Sequence, residues 1–94
     1  MAQNTTIVVP ADTWTQLTNA DAATITFQNQ GSCSVLIKAT TDGTAPTDKT
    51  GSLQYAPGMG EKKMTVADVF LGLTSPDRIW AWASEAVPIM VSHG

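Results

Sequence analysis

Apolar and polar residues alternate with a period of two over several short stretches, and turn-forming residues break them apart. The clearest runs from Ala23 to Gln28, with Ile25 and Phe27 on one face and Thr24, Thr26 and Gln28 on the other. Such alternation is the signature of a half-buried strand, because successive side chains point to opposite faces. Ser34 to Thr40 repeats it, with Val35, Ile37 and Ala39 against Leu36 and Lys38. Thr5 to Val9 predicts a leading strand stopped by Pro10, which has no ladder donor. Shorter strands are predicted at Trp14 to Leu17, Ser52 to Ala56, Glu61 to Val66, Arg78 to Ala83 and Val87 to His93.

The breaks are informative. Asn29-Gln30-Gly31-Ser32 predicts a tight connection, and with its flanking strands a β-hairpin. Ala11-Asp12, Asn19-Ala20-Asp21 and Ser75-Pro76-Asp77 predict turns, and Pro57-Gly58 does so through a fixed φ followed by a permitted positive φ. From Thr41 to Gly51 there is no large apolar residue, which predicts the longest and most mobile loop. Thr65 to Leu71 departs from period two, and Val69, Phe70 and Leu71 suit a brief helical turn near 66–71 that packs them together. Pro88 predicts an edge position or a bulge for the last strand. Seven to eight short strands in 94 residues give an all-β chain, a small antiparallel β-sandwich or jelly roll forming a single domain over residues 1–94.

Composition changes this picture little but limits the chemistry. Charged residues make up 14% of the chain, against roughly 25% in ordinary soluble domains, so hydroxyl and amide side chains must solvate the surface. A net charge of -3 argues against a nucleic-acid or anionic-membrane surface, and Lys62-Lys63 is the only adjacent basic pair. The start of the chain is polar and uncharged, unlike a secretory leader, and synthesis in a cytoplasm is expected. One cysteine, Cys33, excludes an internal disulfide; it is read as a small buried hydrophobe or a turn residue after Gly31-Ser32.

Catalysis finds few candidates. His93, the only histidine, stands next to the last residue and reads as a solvated tail side chain. Asp12, Asp21, Asp42, Asp48 and Asp77 lie singly at turns, where side-chain-to-backbone hydrogen bonding explains them. No zinc or calcium spacing occurs, although Thr41-Asp42-Gly43-Thr44 and Thr47-Asp48-Lys49 could form an incidental oxygen cage. The expectation is no enzyme, no cofactor and no metal.

The aromatic residues carry the functional question. In a strand, Trp80 and Trp82 share one face and Ile79, Ala81 and Ala83 the other, so both faces should be covered, the small one closely. The tryptophans either anchor the domain core or, with Trp14 and Tyr55, form a contact with another subunit or a sugar ring.

Pro10-Ala11-Asp12-Thr13-Trp14-Thr15-Gln16-Leu17 is followed by Ile25-Thr26-Phe27-Gln28-Asn29-Gln30-Gly31-Ser32, by Leu53 leading to Pro57-Gly58, and by Ile79-Trp80-Ala81-Trp82-Ala83 before a Val-rich strand. In this order the pieces resemble the small all-β structural proteins of tailed bacteriophages and gene-transfer particles. Glu61-Lys62-Lys63 and Ala67 to Leu71 lie outside this likeness. The resemblance implies a virion location and a capsid decoration, head-fibre or tail-fibre role without an active site. It implies a homo-oligomer, taken as a trimer, docking on major capsid or tail proteins. The alternative it leaves open is a carbohydrate- or receptor-binding module that recognises a host glycan.

Overall fold

A computed structural model describes residues 3–18, 22–41, 44–73, 76 and 78–93. The turns expected at 19–21 and 75–77 fall wholly or mostly outside these residues, as do Asp42 and Gly43. Among the described residues eight strands form: β1 (Gln3–Val9), β2 (Thr15–Gln16), β3 (Thr24–Asn29), β4 (Val35–Thr40), β5 (Leu53–Tyr55), β6 (Gly60–Thr65), β7 (Arg78–Trp82) and β8 (Val87–His93). A single turn of helix, α1 (Val66–Val69), lies between β6 and β7.

The strands make two antiparallel four-stranded sheets, ordered β1-β8-β3-β6 and β2-β7-β4-β5. The pairings are nested: β1 with β8, β2 with β7, β3 with β6, and β4 with β5. A long antiparallel ribbon folded at its β4–β5 end and rolled on itself gives this order, which is the jelly roll among sandwich topologies. The two inner faces follow strict parity. Val87, Ile89 and Val91 of β8, Ile25 and Phe27 of β3, Val35, Ile37 and Ala39 of β4, and Ile79 and Ala81 of β7 are all buried in one cluster. Burial of these β-branched and aromatic side chains, each stabilising by about 1.5–3 kcal/mol, holds the sheets together.

Three expectations are corrected. First, β3 and β4 do not form a hairpin, because they belong to different sheets. The chain crosses the sandwich at residues 30–34, and Asn29, fully buried, fixes the crossing: its Nδ2 donates to the carbonyls of Cys33 (2.9 Å) and Tyr55 (3.1 Å), and its Oδ1 accepts from Gly31 N (2.9 Å). Second, Pro88 lies in an interior strand, since β8 sits between β1 and β3. It is tolerated because its main-chain groups face the space beyond the end of β3, where Pro88 O accepts from Gln30 N (3.0 Å). Third, Val69 and Leu71 do not pack inward. Val66 and Phe70, four apart, are the buried pair of the helical turn, closed by Phe70 N to Val66 O (3.1 Å).

The edge strand β6 carries a bulge. Ile25 faces Met64 and Phe27 faces Glu61, so Lys62 and Lys63 together oppose Thr26. Lys63 has φ 49°, and its N–H is taken by Thr26 Oγ1 (3.0 Å). The extra residue switches parity, which lets Met64 return to the core face used by Phe27. Gly60 starts this strand so close to β3 that a Cβ would collide with the Phe27 carbonyl and lie 2.7 Å from Gln28 Cα. The turn before it is a type II turn, with Gly58 at φ 83° and Met59 N bonded to Ala56 O (3.0 Å).

Candidate functional site

The two tryptophans of β7 lie on the outer face of the β2-β7-β4-β5 sheet rather than between the sheets. Ile79, Ala81 and Ala83 take the inner face, as the alternation of large and small residues indicates. Trp80 stands between Gln16 of β2 and Lys38 of β4. It is nonetheless only 7% exposed, and its Nε1 donates to Thr40 Oγ1 (2.8 Å). Trp82 lies opposite Leu36 and is half-buried.

The long loop covers this face. Lys38 Nζ meets Asp48 Oδ1 at 2.9 Å, and Thr50 N also bonds Asp48 Oδ1 (3.2 Å). The Lys38 ammonium, as hydrogen-bond donor and as neighbouring charge, holds the Asp48 carboxyl below its ordinary range. The next residue, Lys49, places its ammonium 3.6 Å from the centre of the Trp82 ring. That is a close cation–π contact, with attraction of about 0.5–1 kcal/mol at such a partly exposed site. The segment expected to be the longest and most mobile loop makes contacts with the sheet beneath it, and the Asp48 carboxylate is already engaged as a salt-bridge partner. Among the described residues there is no group of three or more His, Cys, Asp or Glu that could hold a metal ion.

The other two aromatic candidates are elsewhere. Tyr55 is buried between the sheets, its ring edge-on to Phe27 with centroids 5.0 Å apart and planes at 86°. Its hydroxyl donates to Glu61 Oε2 (3.3 Å), and burial followed by the Glu61 charge pushes the phenol up to about 12. Trp14 precedes β2 and is half-buried, with the same parity as Gln16. The structure therefore groups Trp80 and Trp82 on one sheet face and leaves Tyr55 in the core.

The most exposed apolar side chains lie outside this aromatic set. Val69 at the end of α1, and Leu71 and Leu73 after it, rim a cleft of about 380 Å³ whose other walls include Lys38, Ala39, Thr50 and Gly51. Leu71 is 80% exposed. Val8 on β1 is 60% exposed. Val69 and Leu71 read in sequence as part of a packed turn with Phe70. The signal that separates the two is the Val66–Phe70 spacing, which claims the inward face and turns its neighbours outward.

No family model, curated protein or solved structure matches this chain. The residues must carry the functional reading alone. His93 is not a solvated tail residue; it is buried in β8 opposite Gln3. Cys33 combines both sequence readings, half-buried against the core in the bend after Ser32. Lys62 and Lys63 are exposed on the bulged edge, and among the described residues no helix is long and apolar enough to cross a membrane.

Proposed function

We propose that this protein is a non-enzymatic structural component of a tailed-phage particle, of the capsid decoration or head-fibre kind, that self-associates and docks on a larger shell. The observation that carries the reading is the exposed apolar rim of Val69, Leu71 and Leu73 at the mouth of a shallow cleft. Side chains of this kind are stable in water only at modest cost when scattered, but grouped and rimmed by polar residues they mark contact surfaces. The jelly-roll order adds fold-level support, since capsid proteins use that architecture, and the same architecture serves lectins.

The competing reading, a glycan-binding module built on Trp80 and Trp82, meets two obstacles in the geometry. Trp80 is nearly covered, and the Lys49 ammonium already occupies a face of Trp82 where a sugar ring would stack. Docking is tested by adding purified protein to particles stripped of it. Wild type is expected to rebind to saturation, and Leu71→Asp to bind at least about tenfold more weakly, the equivalent of about 1.4 kcal/mol. Trp82→Ala is expected to leave rebinding intact. Glycan binding abolished by Trp82→Ala, with no rebinding by wild type, would favour the lectin-like reading instead.

A further inference from the structure

A β-sandwich has four sheet edges, and three of these are protected. β2 has two residues and β5 has three, too short to template a long pairing. β6 is longer but is broken by the Lys62–Lys63 bulge and carries two exposed ammonium groups. Short strands, bulges and edge lysines are the devices that keep edges from pairing. β1 has none of them. It runs for seven residues, Gln-Asn-Thr-Thr-Ile-Val-Val, with no charge, no proline and full pairing to β8 on one side only.

The backbone of β1 has a defined free face. Because Pro88 O accepts from Gln30 N, the main-chain groups of Pro88, Met90 and Ser92 point toward β3. Their partners across the ladder are Val8, Thr6 and Asn4, so these three residues direct N–H and C=O away from the sheet. Their side chains are exposed too, and Ile7 between them is only partly buried against the core.

We propose that β1 is a self-association edge, pairing antiparallel with β1 of a second copy about a two-fold axis at Thr6. In that register Asn4 meets Val8 of the second copy, Thr6 meets its own equivalent, and Val8 meets Asn4. Every outward donor and acceptor then finds a partner, since each directly opposed pair exchanges two bonds. Thr5 of each copy lies over Ile7 of the other, and Val8 gains a neighbour on the outer face. The absence of charge in Gln3–Val9 removes the repulsion that like-charged edges would meet. Two four-stranded sheets become one continuous sheet, and the symmetry closes at a dimer because no second unprotected edge remains among the described strands. This deepens the self-association in the proposed function, and it replaces the trimer implied by the resemblance with a two-fold unit.

Sedimentation velocity at concentrations on the order of 100 µM tests it, together with amide hydrogen exchange. Wild type is expected to sediment as a dimer, with the Asn4, Thr6 and Val8 amides protected in a concentration-dependent way. Thr6→Lys sets two ammonium groups against each other on the axis, and is expected to weaken dimerisation at least about tenfold with an unchanged circular dichroism spectrum. Thr6→Pro removes only an outward donor and should act likewise; should it unfold, Thr6→Lys carries the comparison alone. A monomeric or trimeric wild type, a dimer that survives Thr6→Lys, or unprotected Thr6 amides in the dimer would overturn the inference. A monomer that still docks on particles overturns it while leaving the particle reading intact. A β1-paired dimer that never enters particles supports it and removes the particle reading.

Discussion

At Asn29 a single side-chain amide binds three main-chain groups at the crossing between the sheets, at Gly31, Cys33 and Tyr55. Its own N–H and C=O are engaged as well, with Met59 O (2.9 Å) and Gly58 N (2.7 Å). Asn29→Ala should therefore cost about 3 kcal/mol in urea unfolding, the sum of modest losses at Gly31, Cys33 and Tyr55. Asn29→Asp should cost at least as much, because a carboxylate oxygen would face the Cys33 and Tyr55 carbonyls. Tyr55 gives a second test at this scale. With the phenol raised from 10.0 to about 12 by burial and Glu61, the neutral form is favoured in the folded chain. Its contribution to stability is complete below pH 10 and is lost as pH rises toward 12. An ultraviolet titration should show Tyr55 ionising late, and Tyr55→Phe should remove that part of the alkaline stability loss. Neither role was legible in sequence. Asn29 reads as an ordinary turn residue, and only its Cβ parity with Ile25 and Phe27, carried one step further, would have placed it inward.

Strands and loops were legible where alternation was clean and illegible where a neighbour had to be chosen. Val35, Ile37 and Ala39 share the core face as their spacing predicts, and so do Ile25 and Phe27. The faces of these strands follow from parity alone. Which strand pairs with which does not, and a short Gly-containing link looked like a hairpin when it was a crossing between sheets. The bulge in β6 escaped for a related reason: a polar Glu-Lys-Lys run carries no parity to break. Its backbone makes two predictions. Lys63→Gly relieves a left-handed conformation that costs a non-glycine residue about 1 kcal/mol, so stability should rise by up to that amount in thermal unfolding. Gly60→Ala forces β6 away from β3 and should destabilise by about 2–3 kcal/mol. The loop over Trp82 should respond to acid. Its anchor is present above the ordinary carboxylate range and is lost as pH falls through the depressed pKa of Asp48. Trp82 fluorescence should change over that acid range in wild type and not in Asp48→Asn.

Over the whole molecule, the nested pairing of β1 with β8, β2 with β7 and β3 with β6 joins residues far apart in the chain. Folding must close long loops before most contacts form, so refolding should occur on the millisecond-to-second scale, roughly 1–100 per second, in stopped-flow mixing. The all-β class was legible because eight short runs bounded by turn residues, several of them cleanly alternating, leave few other solutions. The position of the tryptophans was not, because alternation shows that Trp80 and Trp82 share a face without showing which face meets the second sheet. What decides it is volume: Ile79, Ala81 and Ala83 allow the sheets to approach, and the indoles are left to be covered by the loop. The molecule that results buries Trp80 and Tyr55 and leaves its apolar rim and one neutral strand edge open, which supports the proposed packing against other proteins. The most direct test is the copy number of this chain in purified, salt-washed particles, measured by quantitative mass spectrometry against the major shell protein. A fixed stoichiometric ratio reproduced between preparations is the predicted result, and absence of the chain from washed particles would contradict it.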